Sequence, residues 1–295
     1  MNRSILFRFA ALAILIALVA LTPAWKRPGV PKPAPRAFGV GVGYELGGVR
    51  ELDQLGEVWY IDYDYRGATL GAHQRLYLVE TRSDLQLAPE IARQHRGEWW
   101  QFGNEPNDPN QDNVSPQVYA ARYHDFYFAL KAADATAMIV PAGIANADWQ
   151  WADAFREAYR ARFGRYPLVD GWSIHNYLLD KCEDALDANR FESRIGAFHD
   201  WMARVGESTK PLFVTEYGVL YGNGCCGCPR LADADVAAFM RATTTWMIQS
   251  RLVQGWAWFA LYSGGRYNGD LFAGDANFTR LGATYRELIR VNENK

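Results

Sequence analysis

The stretch Trp99-Trp100-Gln101-Phe102-Gly103-Asn104, with Ser115-Pro116 and then Met138-Ile139-Val140-Pro141-Ala142 downstream, reads as one strand–helix–strand unit. The first run is apolar and stops at Glu105-Pro106, where a chain breaker must begin a loop. Ser115 suits a helix N-cap and Pro116 the first helical position, so a helix is expected from there to about Ala133. The second apolar run then returns as a strand. Continuous hydrophobic strands separated by helices are the mark of a parallel sheet covered on both faces.

Working outward, the same alternation recurs eight times. Strands are expected at residues 38–44, 58–65, 75–80, 99–104, 138–142, 169–175, 212–216 and 255–261. Further helices are expected at 148–163, 186–205, 233–250 and 282–291, and the first three connections are short. Eight such units in one chain predict an α/β fold, a single (β/α)8 TIM barrel over residues 37–295. The competing fold is an open doubly wound sheet, which carries a G-x-G-x-x-G turn after its first strand. Gly39-Val40-Gly41-Val42-Gly43-Tyr44 lacks that spacing, and its glycines fall within a strand, where they signal packing or close backbone approach.

The composition agrees. A chain of 295 residues suggests two domains by length, but an α/β barrel uses about 250 residues as one. Hydrophobic residues at 49% and charged residues at 22% exclude a largely disordered chain. A formal net charge of −2 gives no general attraction to nucleic acid. Only 5 His and 4 Cys speak against a multi-histidine metal enzyme. The aromatic share of 14% is high and needs a use.

Ahead of the barrel, Arg3 and Arg8 precede an apolar run over residues 9–21. Residues 1–25 read as a cleaved signal peptide or a retained membrane anchor through residues 5–25; both stay open. A buried N-terminal helix is the third reading. Export follows from either of the first two: secreted, periplasmic, or held at the outer side of a membrane. Pro28, Pro31, Pro33 and Pro35 make residues 26–36 an extended spacer.

In a (β/α)8 barrel, chemistry gathers at the C-terminal ends of the strands. Two of those ends carry a glutamate directly after an apolar strand: Asn104-Glu105-Pro106 after the fourth, Thr215-Glu216-Tyr217-Gly218 after the seventh. A carboxylate there is costly to bury unless it is paired or used. A pair of carboxyls, one protonated and one ionised, is what glycoside hydrolysis requires.

These motifs resemble those of the clan A retaining glycoside hydrolases, over the whole barrel. The resemblance implies Glu105 as acid/base, Glu216 as nucleophile, and Asn104 as a partner of the sugar 2-hydroxyl. It also implies a His or Tyr after the sixth strand, where the chain has His175 and Tyr177, either of which would donate a hydrogen bond to Glu216. At the eighth strand it implies a Trp beneath the sugar; Trp258 is favoured over Trp256, with packing against helices as the competing reading. Asp64 and Tyr65 after the second strand are candidates for a sugar groove, with surface charge or packing explaining them equally. Tyr44, Glu45 and Glu80 sit at similar strand ends. Tyr44, Tyr65, Trp100, Trp172, Tyr177, Tyr217 and Trp258 are expected at or near the groove, and Tyr119, Tyr123, Phe126 and Tyr127 as packing on one helix.

Cys182 follows the sixth strand, and Cys225, Cys226 and Cys228 follow the seventh. Four cysteines in an exported chain predict disulfides, one joining Cys182 to the later cluster; a four-cysteine zinc site is the alternative. The polar stretch 107–113 lacks the glycine and closing Glu of a calcium loop and reads as an ordinary loop.

The expectation is therefore a monomeric retaining hydrolase, endo-acting on a β-linked polysaccharide or oligosaccharide, with no metal or organic cofactor and no nucleic-acid partner. Transglycosylation is a close variant. The alternative is a non-catalytic carbohydrate-binding or polysaccharide-assembly protein on the same barrel. The separation of the Glu105 and Glu216 carboxyls discriminates between them.

Overall fold

A computed structural model describes residues 30–42, 48–83, 85–222 and 227–293. The predicted export segment lies outside them, as do Tyr44, Glu45, Cys225 and Cys226. Among the described residues no helix is long and apolar enough to cross a membrane.

The strands are β1 Ala37–Val42, β2 Trp59–Asp62, β3 Arg75–Val79, β4 Trp99–Asn104, β5 Met138–Gly143, β6 Trp172–Asn176, β7 Leu212–Gly218 and β8 Gly255–Phe259. The helices are α1 Val49–Leu55, α2 Leu87–Gln94, α3 Pro116–Ala133, α4 Trp149–Phe163, α5 Ala188–Arg204, α6 Asp233–Ser250 and α7 Arg280–Glu293. All named strand pairs are parallel, in the order β5-β4-β3-β2-β1-β8-β7-β6. A parallel bridge between Ile144 and Ile174, just beyond the end of β5 and within β6, brings the two edges together. The result is a nearly closed eight-stranded TIM barrel. Ser115 caps α3 as expected, its hydroxyl accepting from Val118 N.

Period-two alternation divides the strand side chains into two sets. Trp59, Ile61, Leu76, Leu78, Trp99, Val140, Phe213 and Ala257 form one cluster, which fills the barrel. Their strand neighbours, such as Tyr60, Tyr77, Trp100, Phe102, Trp172, Ile174, Tyr217, Trp256 and Trp258, join the larger cluster under the helices. The glycines of β1 serve the inner set. A Cβ on Gly39 would lie 2.3 Å from the Trp59 ring, and one on Gly41 would lie 2.9 Å from the Phe259 ring.

Residues 30–36 are extended and lie against the N-terminal end of the barrel. Lys32 pairs with Glu98, and its carbonyl accepts the Trp99 indole N–H at 3.0 Å. Gln74 Nε2 donates to Pro33 O at 2.8 Å, and Trp59 Nε1 donates to Ala37 O at 3.2 Å. The described part of the proline-rich stretch is thus bound to the domain along its length instead of standing free of it.

Candidate active site

At the C-terminal mouth, β4 and β7 deliver their glutamates by different routes. On β4 the alternation that turns Trp99 into the barrel carries on to Glu105. The backbone there is unusual: Glu105 has φ 45°, a conformation that disfavours a side chain with a Cβ. It is held in place by Glu105 N donating to Gly143 O at 3.0 Å. Buried Asp112 fixes the same corner, accepting from Asn104 N at 2.8 Å and from Thr81 N at 3.1 Å. The 107–113 loop is therefore structural.

On β7 the alternation from inward Phe213 would turn Glu216 outward. The pairing shows why it does not. Val214 pairs with Trp256, but Tyr217 pairs with Trp258, so β7 has one residue more than β8 over this stretch. The matching shift against β6 falls between Ile174/Val214 and His175/Glu216. This β-bulge at Thr215 re-aims Glu216 into the mouth.

From β6, Ser173, His175 and Tyr177 follow the inward parity. His175 lies flat on the end of β5, where a Cβ on Gly143 would fall 2.1 Å from its Nε2. One imidazole nitrogen and one oxygen from each of Glu105 and Glu216 all lie within 4.8 Å of one another. His175 Nδ1 is 2.8 Å from Glu105 Oε1 and 3.6 Å from Glu216 Oε2. The histidine thus hydrogen-bonds Glu105, not Glu216 as expected, because its ring rests against β5 on the β4 side of the mouth. Glu216 instead accepts two phenols: Tyr177 OH to Oε2 at 2.8 Å and Tyr63 OH to Oε1 at 2.5 Å.

The electrostatics follow from burial and these partners. Burial pushes the Glu216 carboxyl above the usual glutamate range, and the Glu105 charge adds to this. The His175 charge and the hydrogen bonds from Tyr63 and Tyr177 oppose the rise without cancelling it. For His175 burial acts downward, but the charges of Glu216 and Glu105 and the Glu105 hydrogen bond leave its pKa raised. Glu105, His175 and Glu216 are the donor types that could hold a divalent cation; here His175 Nδ1 is hydrogen-bonded to Glu105 and each Glu216 oxygen accepts a phenol.

Other expected groove residues lie elsewhere. Trp258 is fully buried in the outer layer, edge-on to Tyr217 at 5.0 Å, with its indole N–H on Gly269 O at 2.6 Å. Small residues occupy the inward positions of β8 because the barrel interior is narrow. The inward aromatic is Phe259, whose ring lies 6.1 Å from Tyr63, 6.5 Å from Tyr177 and 6.1 Å from Tyr267. Asp64 points to solvent and pairs with Arg66 at 2.6 Å, which lowers its pKa. Tyr65 is buried in the outer cluster, as are Trp100, Trp172 and Tyr217. Asn104 stays at the rim with its Nδ2 on Gln111 Oε1 at 3.2 Å, while its buried Oδ1 has no partner among the described residues. Tyr63 was the missed residue. It shares the parity of Trp59 and Ile61, but so does Tyr65; because β2 ends at Asp62, only Tyr63 keeps that parity against the inner cluster, while Tyr65 joins the outer one.

Cys182 and Cys228 form a disulfide that joins the loops after β6 and β7, so the four-cysteine zinc arrangement does not occur. Cys225 and Cys226 lie outside the described residues.

A parallel (β/α)8 barrel with two buried glutamates meeting at the ends of β4 and β7 is the architecture of a clan A-like glycoside hydrolase. The chain matches the family model described as glycosyl hydrolase catalytic core over residues 90–285, and it belongs to that family. No curated protein sequence matches it. Among solved structures it resembles a GH128 (subgroup I) endo-beta-1,3-glucanase from Amycolatopsis mediterranei in complex with laminaritriose. That likeness has a TM-score of 0.66 and 21% identity, and covers 86% of this chain and 99% of that one. A GH128 (subgroup II) endo-beta-1,3-glucanase from Sorangium cellulosum gives 0.65 and 20%, covering 85% and 98%. A GH128 (subgroup III) curdlan-specific exo-beta-1,3-glucanase from Blastomyces gilchristii gives 0.59 and 16%, covering 83% and 97%. At these identities the TM-scores show a shared fold.

Proposed function

We propose that the protein is an exported retaining hydrolase of β-1,3-linked glucan, cleaving within the chain, with Glu216 as nucleophile and Glu105 as acid/base. The observation that carries this reading is the approach of the two carboxylates, with usable oxygens within 4.8 Å. Retaining enzymes hold their carboxyls about 5–5.5 Å apart, whereas inverting enzymes leave about 6.5–9.5 Å for a water. Burying two acids this close is costly, which favours a site that uses them as an acid/base and nucleophile pair over one that only binds sugar. The linkage is suggested by the laminari-oligosaccharide and curdlan named for the structural neighbours. The Cys182–Cys228 disulfide fits an oxidising, exported setting.

The roles follow from the surroundings. Glu216 must be ionised to attack the anomeric carbon, and the phenols of Tyr63 and Tyr177 stabilise that anion. Glu105, hydrogen-bonded to His175, donates its proton to the departing glycosidic oxygen. In the second half it takes a proton from water, which displaces Glu216 and leaves the sugar with its original configuration. Asn104, with an unused buried oxygen at the rim, is placed to receive a sugar hydroxyl. Phe259 offers a flat apolar face.

The test is incubation with laminarin, curdlan and a panel of other β-glucans, xylans and mannans, scoring reducing ends. Azide then separates the roles on an aryl β-laminarioligosaccharide. Glu216→Ala should yield the α-glycosyl azide and Glu105→Ala the β-glycosyl azide. Wild-type turnover by Glu216→Ala would overturn the nucleophile assignment.

A further inference from the structure

We propose that Arg75, at the start of β3, is a positioning residue that sets Tyr63 against Glu216. The proposal rests on the reading of Glu216 as nucleophile.

The connection from β2 to β3, residues 63–74, contains no helix, whereas every other strand-to-strand connection has one. Tyr63 is the first residue of that connection, so no helix dipole or helix packing fixes it. Arg75 does so instead. Its side chain is 1% exposed. Nη2 donates to Asp62 Oδ1 and to Asp64 O, both at 2.5 Å, and Nη1 donates to Gly67 O at 2.7 Å. Asp62 and Asp64 are the two neighbours of Tyr63, so one guanidinium grips the backbone corner on both sides of the phenol. The guanidinium also lies 4.5 Å from the Tyr77 ring centroid and 5.9 Å from that of Tyr60. A fully buried cation is costly, and replacing such groups by apolar ones is often neutral for stability. Its planar fork of donors supplies what a lysine cannot, several fixed bonds at once.

The groups facing Arg75 are Asp62, the Asp64 and Gly67 carbonyls, Tyr60 and Tyr77. Those facing Glu216 are Glu105, His175, Tyr63 and Tyr177. Among the described contacts the two sets are joined at Tyr63. Loss of Arg75 should therefore reach Glu216 by loosening the Tyr63 hydrogen bond.

The experiment titrates the Glu216 carboxyl by NMR in protein carrying carboxyl-labelled glutamate, with Glu216→Gln assigning the signal; no substrate is needed. Tyr63→Phe should raise the midpoint by about half to one pH unit, as loss of a bond to the charged form requires. Asp62→Asn/Arg75→Met, which removes both charges together and so spares the fold, should raise it by a similar amount. Asp62→Asn alone, which leaves the two carbonyl bonds, should not. Arg75→Lys should fall between and serves if the double variant fails to fold. Added to Tyr63→Phe, loss of Arg75 should shift the midpoint no further. A wild-type midpoint in folded Arg75 variants, or a shift that adds in full to that of Tyr63→Phe, overturns the proposal. The expected shifts in a protein that cleaves no glucan would sustain the Arg75 role and defeat the hydrolase reading.

Discussion

The mouth and the floor of this barrel are built from the same eight strands, yet they contain opposite chemistry. At the floor Trp59, Trp99 and Phe213 fill the barrel with apolar rings. The indole N–H groups of Trp59 and Trp99 are satisfied by carbonyls of residues 32 and 37. At the mouth, Glu105, His175 and Glu216 are buried together, and His175 Nε2, Asn104 Oδ1 and Thr215 Oγ1 lack partners among the described residues. The floor follows packing rules and stabilises the fold. The mouth breaks them, holding a left-handed glutamate and a β-bulge where charge is needed.

The largest test of this division is Glu216→Ala. Glucan cleavage should fall by at least about 10⁴-fold, as when a nucleophile is removed, while the melting temperature holds or rises. Loss of both together would erase the distinction. Conversely, Trp99→Ala should cost about 3–5 kcal/mol of stability, read by denaturant unfolding, with kcat changed little in the folded fraction.

A finer comparison lies within β8. Phe259→Ala should raise KM for laminari-oligosaccharides about tenfold through loss of its aromatic face. Trp258→Phe, in the outer layer, should leave KM within about twofold. Equal effects would blur the inner and outer sets.

The smallest expected effect is on pH dependence. In the proposed mechanism Glu216 reacts as the anion, and burial raises its pKa. Its ionised fraction is therefore lost at a higher pH than for an ordinary glutamate as the solution is acidified. The acidic limb of kcat/KM should lie above the usual glutamate range. Tyr177→Phe, which removes a bond to the charged form, should move it up by about half to one pH unit.

Much of this was legible in the chain. Ser115-Pro116 marked a helix start, the eight apolar runs marked the strands, and both glutamates stood before chain breakers. Glu105, Glu216, His175 and Tyr177 do come together. Other residues were illegible for definite reasons. Period-two alternation says which residues share a face but not which face is inward, and β2 and β8 are apolar on both. Hence alternation does not choose between Phe259 and Trp258; Tyr63 and Tyr65 share a parity, and what separates them is the early end of β2 at Asp62, which leaves Tyr65 further into the loop and in the outer cluster. Likewise the proline pattern announced an extended segment, but not that residues 30–36 would lie on the floor.

The sequence by itself determined the alternating barrel and the chemical types at its strand ends, because apolar periodicity and capping residues act locally. Only the tertiary structure decided which side chains meet. The inward face depends on the width of the closed barrel, the direction of Glu216 on one extra residue in β7, and the hold on Tyr63 on an arginine twelve residues further along the chain. Those are relations between strands, and no single stretch of sequence contains them.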